Sequence, residues 1–274
     1  MPRLIRSVLA RAGVEGDERG SSGVDVIGDI AIVRLAEFSP REKKRVAAAL
    51  LEEMKTVRVV MEQEGGIEGE YRLRRLVHLA GEVRTQTVHR ENGCLYKVDV
   101  AKCYFSPRLS TERLKIASLV RLRETVLNMF AGVGPFSIVI AKKAGARVTS
   151  CELNSYAAEL HRENNRLNKV DGLVEVIQGD AADLPSKVPR FHRIIMPHPS
   201  EADRFLPAAI ALTREKAVIH YYRHVLGVDE VDAARSLRDE LSGLLPPRTV
   251  YSVRKVREVG PRWLEMAAEI RVGA

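Results

Sequence analysis

The segment Asn128-Met-Phe-Ala-Gly-Val-Gly-Pro-Phe-Ser137 has the form of a sharp turn from a buried strand into a helix. Thr125–Phe130 (TVLNMF) is an apolar run of the buried-strand type, and IVIAKKA after the turn has a helical pattern. Gly132 permits a tight turn, and Gly134 lets the backbone approach a ligand closely. The next strand, Arg147–Glu152 (RVTSCE), ends on Glu152, 20 residues beyond Gly132. An acidic side chain at that place can accept both hydroxyls of a ribose. A third strand, Leu173–Gln178, leads into Gly179-Asp180-Ala181, where Asp180 suits an adenine amino group. Ser137 stands at the third glycine position, which argues against the pyrophosphate-binding form of the motif. The combination points to an adenosine-type ligand. Taken singly, a Gly-x-Gly is equally a plain strand–helix turn, and Glu152 or Asp180 a solvated strand end.

The same alternation extends on both sides. Tyr156–Leu167 reads as a helix, Phe191–Met196 as a strand, Arg204–Leu212 as a helix and Ala217–Tyr222 as a strand. Val228–Leu245 is a longer helix, and strands follow near Thr249–Val253 and Trp263–Val272. Strands alternating with helices predict a parallel, doubly wound α/β sheet. The N-terminal half has another texture. Val24–Leu35 reads as one strand, and Ser39-Pro40 caps a helix with a Val46, Leu50 and Leu51 stripe. Val57–Glu62 is a strand that Gly65-Gly66 breaks, and strands follow around Leu73–Leu79, Thr85–His89 and Tyr96–Val100. The expected division is an N-terminal arm at 1–20, a small α+β domain at 21–103 and an α/β domain at 104–274.

The chain has 274 residues, 45% of them hydrophobic and 29% charged, which suits a soluble globular protein and disfavours disorder. No apolar run has the length of a membrane span, and no signal peptide is evident, so a cytoplasmic location with no membrane partner is expected. Three cysteines, Cys94, Cys103 and Cys151, are too few and too scattered for a disulfide framework or a Cys-x-x-Cys metal site. Forty-four Lys and Arg against 36 Asp and Glu give a net charge of +8, which favours a polyanionic partner.

Further segments carry a resemblance. The run Phe130-Ala-Gly-Val-Gly-Pro-Phe-Ser137 looks like motif I of class I S-adenosylmethionine methyltransferases. Gly69-Glu-Tyr-Arg72, Val100-Ala-Lys-Cys-Tyr-Phe-Ser-Pro-Arg-Leu-Ser-Thr-Glu-Arg113, Leu153-Asn154-Ser-Tyr with Asn164 and Leu167-Asn168-Lys169, and Val218-Ile-His-Tyr-Tyr222 agree in order and spacing. Together they resemble the archaeal/eukaryotic-type tRNA (guanine-37-N1)-methyltransferase family over about residues 23–274. The resemblance implies a Rossmann-like class I methyltransferase domain, S-adenosylmethionine as cofactor, tRNA as partner and action as a monomer. By motif, Glu112 matches the family's general base and Arg72 the arginine that holds the guanine carbonyl oxygen. A carboxylate taking a proton while a guanidinium meets growing negative charge is sound chemistry. Arg113 matches a contact to the cofactor's carboxylate. Phe130, Gly132, Gly134, Glu152, Leu153, Asn154, Asp180, Ala181 and Pro197 fall at cofactor positions, and Tyr104, Arg108 and His198 at substrate positions.

Each assignment has a plainer counterpart. Glu112-Arg113 also reads as a helix-end charge pair, and Arg72, Arg74 and Arg75 as the wet face of a strand. His220, Tyr221 and Cys151 read as core. The chain also departs from the family pattern. Met196-Pro197-His198-Pro199-Ser200 replaces the usual Asn-Leu-Pro, Asn128 replaces an aspartate, and an additional N-terminal domain common in archaeal members is expected to be missing. The Asn-Leu-Pro change keeps a second product in view, the aminocarboxypropyl group of wybutosine synthesis, as well as a tRNA-binding homologue without turnover. The intact Arg108–Arg113 pattern favours methyl transfer.

Overall fold

A computed structural model describes residues 2–14 and 23–273. Most of the expected Gly-rich stretch before Gly23 lies outside the described residues. The chain divides into two compact units between Thr111 and Glu112.

The first unit starts with α1 (Pro2–Arg11), whose Val8 and Leu9 are buried in the unit's core. The segment expected as one strand from Val24 to Leu35 is a hairpin of β1 (Asp25–Ile27) and β2 (Ile30–Val33). Gly28 turns the chain at φ +57°, and Asp29 receives Arg84 Nη1 at 3.0 Å and Nη2 at 2.6 Å. The Arg84 hydrogen bonds hold the Asp29 carboxyl below its ordinary range against its burial. In α2 (Pro40–Glu53) the Ser39 side chain accepts from Glu42 N, and the Glu42 carboxylate accepts from Ser39 N at 2.8 Å. That reciprocal cap contributes about 1 kcal/mol. β3 (Val59–Glu68) runs straight through Gly65-Gly66, contrary to the expected break. The glycines form a bulge, because pairing with β4 (Leu73–Gly81) steps from Glu64↔Arg75 to Ile67↔Arg74. The sheet order is β1-β2-β3-β4, and β5 (Gln86–Glu91) and β6 (Cys94–Asp99) make a separate hairpin.

Helix α3 (Ser110–Leu119) leads into the second unit. There β7 (Thr125–Asn128), α4 (Pro135–Ala144), β8 (Arg147–Glu152), α5 (Ser155–Leu167) and β9 (Val174–Gln178) alternate as expected. A 3-10 turn at Ala181–Ser186 follows, then β10 (Phe191–Met196), α6 (Ala202–Ala211), β11 (Thr213–Leu226) and α7 (Glu230–Leu244). The unit closes with β12 (Val250–Gly260) and β13 (Trp263–Val272). The sheet order is β12-β13-β11-β10-β7-β8-β9. From β9 to β11 all neighbours are parallel, whereas β13 is antiparallel to both β11 and β12. The expected all-parallel sheet is therefore mixed. The link Pro261-Arg262 is too short for a crossover helix, so β12 and β13 can only pair antiparallel. Leu127, Ile194 and Ile219 are fully buried in this unit's core. Each such side chain contributes roughly 1.5–3 kcal/mol.

The strand order reverses beside β7, which has β8 on one side and β10 on the other. Ligands of open α/β sheets bind at the carboxyl ends of strands at such a reversal.

Candidate active site

The glycine turn lies at that reversal, and buried polar contacts pin it from several sides. Asn128 is fully buried and its Nδ2 donates to Ser137 Oγ at 3.0 Å, while Ser150 Oγ donates to Ser137 Oγ at 2.8 Å. Ser137 therefore fills the third glycine position as a link between β7, β8 and α4. Asn164 Nδ2, from α5, donates to Val133 O at 3.0 Å. Gly134 caps α4 at φ +92°, and a Cβ there would come within 2.3 Å of His161 Cδ2. His161 is fully buried, and burial, helped by Arg162, lowers its pKa to about 3, so it is a neutral wall.

Glu152 faces this turn from the end of β8. Its Oε2 accepts from Gly132 N at 2.6 Å and its Oε1 from Asn154 N at 2.9 Å. Leu153 N also contributes, so backbone donors from both sides fix the plane of this carboxylate. Burial raises the Glu152 carboxyl above its ordinary range, against the lowering effect of these backbone donors. Leu153 is half-buried, and Asn154 caps α5 by accepting from Tyr156 N at 3.1 Å and Ala157 N at 3.3 Å. Asp180 Oδ1 accepts from Ala182 N at 2.8 Å, and the following Ala181 is buried. Phe130 packs edge-on against Phe205 at 4.9 Å and tilts against His198 at 5.0 Å, with Pro197 half-buried before it. Cys151, read as core, is buried; burial and the nearby Glu152 charge push its thiol up to about 12, so it is inert.

Glu112 and Arg113 are both buried, at 6% and 2% exposure, rather than lying on a wet helix end. The partner of Glu112 comes from β12. Arg254 Nη2 donates to Glu112 Oε1 at 2.5 Å and Nη1 to Oε2 at 2.8 Å, a two-pronged pair. Tyr222 Oη, from β11, donates to Oε1 at 2.6 Å. Burial, then the Glu112 charge, raise the Tyr222 phenol well above its ordinary value, so it keeps its proton. Burial works against the charge on Arg254, but the Glu112 hydrogen bonds outweigh it and raise its pKa. His220, also read as core, is buried and accepts from Arg193 Nη1 at 2.6 Å, and Arg193 Nε donates to Glu124 at 2.8 Å. Tyr221 is buried, with its hydroxyl on Glu240 at 2.9 Å. Neither Tyr222 nor Arg254 was expected to touch Glu112. The alternation of β11 places His220 and Tyr222 on one face, which is the available local signal; Arg254 is indistinguishable from its charged neighbours Lys255 and Arg257.

In the first unit the three arginines have three environments rather than one wet face. Arg72 precedes β4 in the left-handed region at φ +55°. Its guanidinium lies 4.9 Å from the centre of the Tyr104 ring, and its buried Nε and Nη1 have no partner among the described residues. Arg74 is buried, donating to Phe105 O at 3.2 Å and Asp25 at 3.4 Å, which makes it structural. Arg75 is exposed and pairs with Glu64. Exposed Arg108 donates to Asp25 Oδ1 at 2.6 Å.

A mixed sheet of this order, a glycine turn at its reversal and acidic strand ends define a class I methyltransferase. Residues 87–239 match the TRM5/TYW2 methyltransferase domain, and residues 5–85 match the TYW2 N-terminal domain. The chain belongs to the TRM5/TYW2 methyltransferase family. It is 40% identical over 252 residues to the tRNA (guanine(37)-N(1))-methyltransferase Trm5b of Pyrococcus abyssi, covering 90% of this chain and 74% of that one. The crystal structure of the Methanocaldococcus jannaschii tRNA m1G37 methyltransferase superimposes with a TM-score of 0.83 at 31% identity, covering 99% of this chain and 78% of that one. A complex of aTrm5 with tRNALeu superimposes at 0.79 and 33% identity, covering 92% and 72%.

Proposed function

We propose that this chain transfers the methyl group of S-adenosylmethionine to N1 of the guanine 3′ of the anticodon, position 37 of tRNA. The observation that carries the reading is the intact Arg108–Arg113 segment with its buried Glu112 carboxylate, in a chain so similar to Trm5b. The cofactor fits the residues present. Gly132 makes the turn tight at φ +55°, the Glu152 carboxylate stands at the end of the next strand with its Oε2 on the turn's Gly132 N, and Asp180 offers its second carboxylate oxygen. Bound there, the cofactor supplies an electrophilic methyl group on sulfonium sulfur.

Gly132, Gly134, Glu152, Leu153, Asn154, Asp180, Ala181, Phe130, Pro197 and Arg113 form its binding set, with the Arg113 guanidinium suited to the cofactor's carboxylate. Phe130 supplies an apolar wall, braced by Phe205. Glu112 takes the proton that leaves guanine N1. Arg72 has two unmatched donors and meets the charge that grows on the guanine carbonyl oxygen. The cation–π contact with Tyr104 holds that guanidinium ready, and Arg108 and His198 contact the tRNA. The first unit handles RNA and the second carries the transfer. We assign the protein to the cytoplasm as an archaeal-type monomer; no helix among the described residues is long and apolar enough to cross a membrane.

The test is incubation with methyl-labelled cofactor and unmodified tRNA, followed by digestion to nucleosides. Labelled 1-methylguanosine is the expected product. Its absence with folded protein refutes the reading. In a parallel digest with the label moved to the cofactor's aminocarboxypropyl group, label on the nucleoside establishes the second product, towards which the match of residues 5–85 to the TYW2 N-terminal domain leans.

A further inference from the structure

Which oxygen of Glu112 can receive a proton is a matter of counting acceptor positions. A carboxylate oxygen offers two. On Oε1 both are taken, one by Tyr222 Oη at 2.6 Å and one by Arg254 Nη2 at 2.5 Å. On Oε2 only Arg254 Nη1 is present, at 2.8 Å, so one position stays open. The two-pronged contact also fixes the plane of the carboxylate, so the open position has a set direction. At 6% exposure, water cannot freely reorient this group.

We infer that Oε2 of Glu112 is the atom that receives the guanine N1 proton, and that Arg254 and Tyr222 are positioning residues that hold it for that task. This rests on the reading of Glu112 as the general base. In the step, the N1–H bond breaks as the proton forms an O–H bond at Oε2, and its pair stays on N1, with negative charge spreading onto the carbonyl oxygen assigned to Arg72. The N1 pair forms the bond to the methyl carbon while the carbon–sulfur bond breaks and leaves its pair on sulfur. Arg254 and Tyr222 thus give the base one orientation before the substrate arrives.

Four variants of the full chain test the assignment in single-turnover and steady-state methylation: Glu112→Gln, Arg254→Gln, Arg254→Lys and Tyr222→Phe. Melting temperature and cofactor affinity are measured alongside. Glu112→Gln loses on the order of 10²-fold or more in the chemical step, the usual weight of a general base. Arg254→Gln lowers kcat by roughly 10-fold or more and leaves KM for tRNA nearly unchanged. Arg254→Lys restores only part of that rate, because the charge returns without the fork. Tyr222→Phe removes one oxygen from a packed ring and lowers kcat by a smaller factor, again with KM unchanged. Should Arg254→Gln fail to fold, the other two variants decide. Arg254→Lys and Tyr222→Phe enzymes with the wild-type rate, beside an impaired Glu112→Gln, overturn the positioning roles and leave Glu112 as the base. A Glu112→Gln enzyme at the wild-type rate overturns the base itself.

Discussion

Replacing Gly134 with alanine should damage both stability and cofactor binding. Gly134 sits at φ +92°, outside the region an L side chain prefers, and strain of that kind costs about 1–2 kcal/mol. The added Cβ would also lie 2.3 Å from Cδ2 and 2.4 Å from Nε2 of His161. That ring is fully buried on α5, so it has little room to retreat. Overpacking of this type costs roughly 1–3 kcal/mol. The sum is about 2–5 kcal/mol, which for a domain of this size lowers the melting temperature by on the order of 10 °C. The collision would also shift the turn that carries Gly132 N, the donor to Glu152, so affinity for S-adenosylmethionine should fall about tenfold. Calorimetric titration with the cofactor, beside thermal unfolding without it, measures both. A Gly134→Ala protein that melts within about 1 °C of wild type and binds the cofactor normally refutes the reasoning, because neither strain nor collision would then be real.

Acid should destabilise the protein before its carboxylates titrate. His161 and His220 are both held near a pKa of about 3 against 6.5 for a free histidine, chiefly by burial. Their folded-state values are depressed, so the full contribution is present above pH 6.5 and is lost progressively as pH falls towards 3. Each histidine adds a slope of about 1.4 kcal/mol per pH unit, and urea midpoints that stay flat below neutrality would contradict it. Glu152→Gln sets an amide donor against Gly132 N–H or Asn154 N–H, costing about 1–3 kcal/mol. It should also weaken cofactor binding about tenfold, which equilibrium dialysis can check. Binding of tRNA should weaken steeply with salt, log K falling by about 0.9 per phosphate contact; a flat response in filter binding would remove the basic surface from the argument.

Local pattern carried the strand and helix order of the α/β unit well. Short-range spacing marks its strand ends: Gly132 and Gly134 follow β7 at the reversal, Glu152 ends β8, and Asp180 follows β9 at the sheet's edge. Where reading failed, the cause was competition between a local signal and a pairing partner elsewhere. Gly65-Gly66 looks like a stop, but β4 accepts the extra residues as a bulge. Gly28-Asp29 carries a hairpin signal inside an otherwise continuous β-branched run. Arg254-Lys255-Val-Arg257 reads as surface charge because edge strands are charged in any case. The clamp on Glu112 joins groups 142 residues apart, and no local periodicity encodes such a contact. Ser137 illustrates a milder limit. The sequence excludes a third glycine, whereas the bond to Asn128 supplies the reason.

The β12–β13 hairpin completes the sheet and also delivers Arg254 to Glu112. On the ribosome, helix α3 emerges long before that hairpin. Until the hairpin pairs, the Glu112 carboxylate lacks its fork, so on the proposed role of Glu112 a half-made chain that already holds the glycine turn has an unaligned base. The edge of the sheet then couples completion of the fold to the alignment of that one carboxylate.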